Sequence, residues 1–242
     1  MSEAKSDAGT DARREQLAAN LVVVRHRIAV AAEAAGRDPD EITLVAVTKF
    51  FPTSDVRLLA DLGVRDVGEN RHQEAADKAA DCADLDVRWH FIGGLQSNKA
   101  EAIAGYADVV ESVDRTKLVT PLNRGAHQRS RAVDVLLQVS LDPPGATGRS
   151  GADPAELAGL AAGVEAAGML RLRGLMAIAP LGEDPLAAYE RLAEIRSGFV
   201  GEHPGADWLS AGMSDDLEAA VGAGATHVRL GTAVLGPRPS NK

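Results

Sequence analysis

A chain of 242 residues with a formal charge of −9 and one cysteine, Cys82, excludes several classes of protein before any motif is read. The length suits one large α/β domain whose core needs no staples, and a lone cysteine permits no intramolecular disulfide, which implies a reducing, cytoplasmic setting. The acidic balance argues against a nucleic-acid or anionic-membrane surface but leaves room for a small basic pocket. The first ten residues, MSEAKSDAGT, lack the basic and apolar regions of a secretory signal and read as a disordered polar tail. The most apolar early stretch, LAANLVVVRHRIAVAA, is broken by Arg25, His26 and Arg27, so it falls short of the roughly 20 apolar residues of a membrane span.

From Asp11 to about Ala35, Leu17, Leu21, Val24 and Ile28 recur at helical spacing, and Gly36 supplies a stop. The chain then alternates. ITLVAVT (42–48) reads as a strand before a helix from Thr53 to Leu62, and VRDVG (64–68) before one from Glu69 to Asp81. RWHFIG (88–93) precedes Gln96 to Ala104, and ADVVES (107–112) precedes Asp114 to His127. VDVLLQVSL (133–141) is the clearest strand, followed by a Gly/Pro-rich loop and a helix from Asp153 to Ala167. LRGLMAI (172–178) leads to a helix at Pro185 to Phe199, DWLSAGM (207–213) to Ser214 to Ala223, and HVRLG (227–231) is the last strand.

Eight strands separated by helices predict parallel pairing and a single closed (β/α)8 TIM barrel over residues 11–242, with an additional N-terminal helix. An open doubly wound sheet would favour a glycine-rich fingerprint after the first strand, where TKFFPTSD stands instead. Only 11 residues follow Gly231, too few for a full eighth helix, so the helix before the first strand is expected to fill that place.

Chemistry in such a barrel sits at the C-terminal ends of the strands. Those ends offer Lys49, Asn70, His90, Ser210, Met213, Arg229, Gly231 and Thr232. Lys49 follows an apolar strand directly; desolvation there would lower its pKa and make the amine nucleophilic, the alternative being a snorkelling lysine. LSAGMS (209–214) and RLGTA (229–233) have the small and hydroxyl residues of a phosphate loop, or are plain turns with Ser214 as a helix N-cap. Arg229 lies inside an apolar run and needs a partner, either a carboxylate or a ligand heteroatom. His90 reads as a satisfied core histidine and Cys82 as packing, and no metal-ligand spacing occurs.

The blocks LVAVTK (44–49), GENRHQE (68–74), WHFIGGLQSNK (89–99), LLQVSLD (136–142), RGLMAI (173–178), LSAGMSDDLEAA (209–220) and VRLGTAVLGPR (228–238) together resemble the pyridoxal phosphate homeostasis protein family. That family is related to the fold-type III barrel of alanine racemase, and the likeness runs from about residue 15 to 238. The resemblance implies pyridoxal 5'-phosphate held as a Schiff base on Lys49, and its phosphate gripped at Ser210, Gly231 and Thr232. It also implies Arg229 against the pyridine nitrogen, with Asn70 and Met213 lining the pocket. An arginine at that nitrogen keeps it unprotonated and weakens the ring as an electron sink. Three positions depart from the family pattern: Phe51 replaces a second lysine, Gly94 a proline, and Arg149 a lysine.

The implied function is cofactor buffering and delivery inside the cell, with apoenzymes that use the cofactor as recipients and a monomeric chain that binds neither nucleic acid nor membrane. A racemase or related fold-type III enzyme is the alternative. Against it, no C-terminal β-domain follows the barrel, and the only tyrosines, Tyr106 and Tyr189, fall in helical segments, so a second proton-transfer base is missing. A cofactor-free Schiff-base aldolase is a third reading, which Arg229 disfavours.

Overall fold

The computed structural model describes residues 2–142 and 150–238, so Arg149 lies outside it. Eight strands form one closed barrel in chain order: β1 Thr43–Val47, β2 Asp66–Glu69, β3 Arg88–Phe91, β4 Val109–Val113, β5 Val133–Gln138, β6 Leu170–Met176, β7 Trp208–Ser210 and β8 His227–Leu230. Every pairing is parallel, and β8 closes on β1 with Thr43 opposite His227 and Ala46 opposite Leu230. Both faces of such strands are covered, which is why β5 is buried throughout and is mostly Val and Leu, interrupted by Asp134. The predicted barrel is the observed one.

The helices are α1 Ser2–Ala34, α2 Thr53–Asp61, α3 His72–Asp81, α4 Ala100–Ala104, α5 Val119–Arg129, α6 Leu157–Glu165, α7 Pro185–Glu202, α8 Leu217–Gly222 and α9 Thr232–Leu235. The first helix begins at Ser2, so residues 2–10, expected as a disordered tail, continue it. Extending a formed helix adds one bond for each residue fixed, and Glu, Ala and Lys are good helix formers. Leu17, Leu21, Val24 and Ile28 are all buried, against Leu217, Val221, Val234 and Leu235 among others. Asn20 Nδ2 donates to the Val234 carbonyl at 2.9 Å, and Arg13 bridges Asp55 of α2 at 2.6 Å and the Leu235 carbonyl at 3.0 Å. Thus α1 takes the outer position that the four-residue α9 leaves open. Its other side exposes Val22, Val23 and Val30, apolar surface that the sequence reading did not anticipate.

Five helices start later than expected, α3, α4, α5, α6 and α8. Glu69 belongs to β2, opposite Phe91, because its carboxylate is buried among the barrel's polar groups. α4 starts at Ala100 instead of Gln96, after a turn. The stretch expected to extend β5 to residue 141 leaves the ladder after Gln138 and forms one isolated bridge, Val139 to Ala152. Gly174 in β6 has φ +151°, and a Cβ there would lie 1.9 Å from the Trp208 carbonyl oxygen. Only glycine permits β6 and β7 to approach this closely.

Candidate functional site

The turn after β1 is held from below by a buried lysine. Lys78 of α3 is 5% exposed, and its Nζ donates to the Thr48 carbonyl at 2.8 Å and to Glu69 and Glu74 Oε1, each at 2.7 Å. Thr48 Oγ1 donates to the same Glu69 oxygen at 2.7 Å, and the Phe50 N–H donates to Glu74 at 2.6 Å. Both neighbours of Lys49 are therefore fixed. Phe50 adopts φ +70°, a left-handed conformation rare for an aromatic residue, and its ring lies under the guanidinium groups of Arg71 and Arg238. Lys49 itself is half-buried. Burial holds its pKa below the ordinary lysine value, Arg238 and Arg71 push the same way, and Glu69 opposes them. A larger neutral fraction makes a better nucleophile.

Phe51, where the family pattern has a second lysine, is 7% exposed and packs in the core shared by α1 and α2, with Arg13 over its ring. An amine at that position would not share the mouth with Lys49 without a changed turn. At the neighbouring strand end, the side-chain oxygen Oδ1 of Asn70 is buried with no hydrogen-bond partner, and so is Oε2 of Glu69. Gly93 sits so close that a Cβ there would lie 2.1 Å from the Asn70 carbonyl oxygen, whereas Gly94 meets only Ser150 Oγ at 3.8 Å. Replacing proline at position 94 is thus sterically silent.

The ends of β7 and β8 adjoin this turn. Gly231 faces Val47, its Cβ position 3.5 Å from the Val47 carbonyl oxygen, and Thr232 opens α9 with an exposed side chain. The first N–H groups of a helix lack intrahelical partners, and α9 begins directly after the C-terminal end of β8, on the side of the barrel mouth. Met213 is 41% exposed, and its N–H is taken by Asp216 Oδ1, while Asp216 Oδ2 accepts from Tyr189 at 2.8 Å. Asp216, not Ser214, occupies the N-cap position of α8 and braces the loop after β7.

Ser210 is wholly buried, and its hydroxyl is spoken for: it donates to Glu111 Oε2 at 2.6 Å and accepts from Arg229 Nη1 at 2.7 Å. Arg229 Nη2 reaches the Ala177 carbonyl at 2.9 Å. Glu111 Oε1 in turn meets His90 Nδ1 at 2.7 Å, and His90 Nε2 meets Asp66 Oδ1 at 2.9 Å. His90 is a satisfied core histidine, as expected, but it sits in a chain of charges that the sequence reading missed. Burial would lower its pKa, yet the hydrogen bonds it donates to both carboxylates raise it to about 9. Burial would raise Glu111, yet His90 and then Arg229 and Ser210 hold it at about 2. His227, with its ring 6.2 Å away, is pushed down to about 4 by burial and by the charge on His90.

Neither tyrosine is a ready base. Tyr189 is buried on Asp216, and Tyr106 lies just after α4, not within a helix, stacked on His72. Burial raises the pKa of each well above the ordinary phenol value. Cys82 is buried against Val56, Val67 and Trp89. A cavity of about 190 Å³ opens at the mouth between β3, β5 and β6, lined by Gln138, Ser140 and Ile178 among others. A larger hollow of about 420 Å³ lies at the opposite end of the barrel, against α1 and Asp66, away from Lys49.

A closed parallel barrel with a perturbed lysine at the end of its first strand defines a class, and comparison with known proteins agrees. The model for the N-terminal domain of alanine racemase matches residues 19–239. A pyridoxal phosphate homeostasis protein of Mycobacterium tuberculosis is 44% identical, over 93% of this chain and 94% of its own. One from Pseudomonas aeruginosa is 45% identical over 92% of this chain and 96% of its own. The solved structure of PipY from Synechococcus elongatus, with PLP bound, superposes with TM-score 0.78 at 35% identity, covering 91% of this chain and 100% of that one. The chain belongs to the alanine racemase N-terminal domain family and, within it, to the pyridoxal phosphate homeostasis proteins.

Proposed function

We propose that the chain binds pyridoxal 5'-phosphate through Lys49 and serves to store the cofactor and hand it on inside the cell. The observation that carries the reading is the Lys49 turn: a half-buried amine of lowered pKa, clamped on both sides by the Lys78 network, between Arg71 and Arg238. Such a site suits an anionic aldehyde. When bound, the cofactor supplies the carbonyl that an unprotonated amine attacks. The buried, unpartnered Oδ1 of Asn70 fits a hydroxyl donor on the ring. Arg229 is assigned to the ring nitrogen, a reading its fixed orientation on Ser210 and Ala177 supports, and the exposed Met213 to the edge of the pocket.

The phosphate is assigned to the backbone around Gly231 and to Thr232. The Ser210 hydroxyl is committed to Glu111 and Arg229 and its carbonyl to the Ala177 N–H, so Ser210 supports the phosphate end from beneath and the direct donors are assigned to Thr232 and the backbone around Gly231. Charge-assisted hydrogen bonds contribute about 1.5–3 kcal/mol each, so pyridoxal without the phosphate is expected to bind far more weakly. The racemase reading lacks a second base, because Tyr189 is buried, Tyr106 is half-buried, and both are raised in pKa.

Borohydride reduction of the loaded protein followed by peptide mass mapping tests the assignment, with the pyridoxyl group expected on Lys49; an adduct solely on another lysine overturns it. Solvent-deuterium incorporation into L- and D-alanine separates carrier from racemase. Lys49-dependent exchange on the order of 10 s⁻¹, the pace of metabolic enzymes, decides for the racemase.

A further inference from the structure

Beneath the cofactor-binding end, four charged side chains and one hydroxyl form an unbroken line across the barrel interior. They come from five strands: Asp66 of β2, His90 of β3, Glu111 of β4, Ser210 of β7 and Arg229 of β8. Both ring nitrogens of His90 face carboxylate oxygens, at 2.7 and 2.9 Å, so both must donate and the ring must be a cation. The line then carries Asp66⁻, His90⁺, Glu111⁻ and Arg229⁺, and is neutral as a whole. Packing alone asks no more than neutrality. The direction of the Ser210 bond adds something.

A hydroxyl has one proton. Ser210 donates it to Glu111 Oε2, which leaves a lone pair for Arg229 Nη1. Glu111 thereby sets the polarity of the only group that ties this guanidinium corner to β7. The carboxylate itself is 3.8 Å from Arg229, too far for a direct hydrogen bond, so its hold is transmitted through Ser210. The second corner, Nη2, is fixed by the Ala177 carbonyl at the end of β6. With two corners held from different strands, a flexible side chain has one orientation, and the remaining N–H groups of the guanidinium keep a fixed direction.

We infer that Glu111, acting through the Ser210 hydroxyl, is the positioning residue that aims Arg229 at the pyridine nitrogen of the cofactor, an inference that rests on the proposed pyridoxal phosphate reading. His90 and Asp66 support it by balancing charge: with His90 neutral, Asp66 would keep Arg88 at 3.5 Å, but Glu111 would lose the cation it meets at 2.7 Å. Glu111 touches no ligand in this arrangement. Its contribution is direction.

The test compares two ligands that differ at one atom: pyridoxal phosphate and its analogue in which C–H replaces the ring nitrogen. Each is titrated by absorbance into the wild-type protein, Glu111→Gln and Ser210→Ala. Wild type is expected to prefer pyridoxal phosphate by about tenfold or more, the worth of one charge-assisted hydrogen bond. In Glu111→Gln the preference is expected to collapse towards unity through weaker binding of pyridoxal phosphate, with the analogue's affinity unchanged within about twofold. Ser210→Ala leaves Glu111 in place and cuts its link, so it is expected to give the same collapse, and it carries the test if Glu111→Gln does not fold. A Glu111→Gln protein that keeps the wild-type preference, or that loses both ligands equally, shows a purely structural role and overturns the inference. A wild type with no preference shows instead that Arg229 does not serve the ring nitrogen, and the underlying assignment falls with it.

Discussion

The interior of the barrel and its mouth treat polar groups in opposite ways. In the interior, Asp66, His90, Glu111, Ser210 and Arg229 are nearly inaccessible to solvent, and each finds a partner within the protein. At the mouth, Oε2 of Glu69 and Oδ1 of Asn70 are just as hidden and have none. A buried polar atom without a partner costs free energy, so a fold that satisfies one layer completely and leaves the next incomplete marks where something else must bind. The inner layer is built for order and the outer one for occupancy.

Four experiments act on that contrast. Lys49→Ala has the largest expected effect: the visible band and the borohydride-fixed adduct disappear entirely, while weak cofactor binding through the anion contacts persists. A variant that retains the band breaks the assignment of the mouth. Glu111→Ala strikes the inner layer and leaves His90 and Arg229 short of a counter-charge; urea unfolding is expected to register a loss of about 3–5 kcal/mol, the usual result of removing one member of a buried charge group. A loss below 1 kcal/mol would mean that the layer is wetter than its burial suggests.

The paired glycines give a smaller and sharper effect. Gly93→Ala places a Cβ 2.1 Å from the Asn70 carbonyl oxygen and is expected to cost about 1–3 kcal/mol and to weaken cofactor binding, because Asn70 must move. Gly94→Ala, one residue on, meets only Ser150 at 3.8 Å and is expected to stay within about 0.5 kcal/mol of wild type. Equal effects of the two would mean that the approach of β3 to Asn70 does not matter.

The most modest effect is on pH dependence. His90 is raised to about 9, so it binds its proton more tightly when folded, and its contribution is full below the unfolded value of about 6.5 and lost as pH rises towards 9. His227 is lowered to about 4, so folding is disfavoured as pH falls from about 6.5 through that value. Glu111, held at about 2, adds stability above the ordinary carboxylate range that is lost only in strong acid. Stability is therefore expected to peak near neutrality and decline on both sides. His90→Gln should remove the alkaline decline, and stability that rises from pH 6.5 to 9 in the wild type would contradict the charged state of His90.

The same contrast explains what the sequence disclosed. Strands hidden on both faces appear as apolar runs, and all eight were legible. Lys49, Arg229, Gly231 and Thr232, the residues proposed for the site, stand out in the sequence because barrel chemistry sits at strand ends, which can be counted. Helix starts differ from expectation where polar residues flank an element, as with Glu69, which belongs to β2, and Asp216, which takes the N-cap position expected for Ser214. The interior line was invisible because its members meet only after the barrel closes; Ser210 and Glu111 are 99 residues apart. Lys78 had a signal, its spacing of four from Glu74 along α3, but that spacing is also common on exposed helix faces.

The docking of α1 onto α8 and α9 sets a timetable for the chain's birth. Leu17, Leu21, Val24 and Ile28 are made early, yet much of the core that covers them, from Leu217 to Leu235, is made far later. At about 5–20 residues per second, that separation of roughly 200 residues is a wait of about 10–40 s, far longer than a helix takes to form. Over that interval the first helix carries a bare greasy stripe, and β1, whose closing neighbour β8 is also still to come, waits beside it. The seam where β8 meets β1 joins stretches of chain made far apart in time, and it ends one residue from Gly231, where the phosphate is proposed to bind.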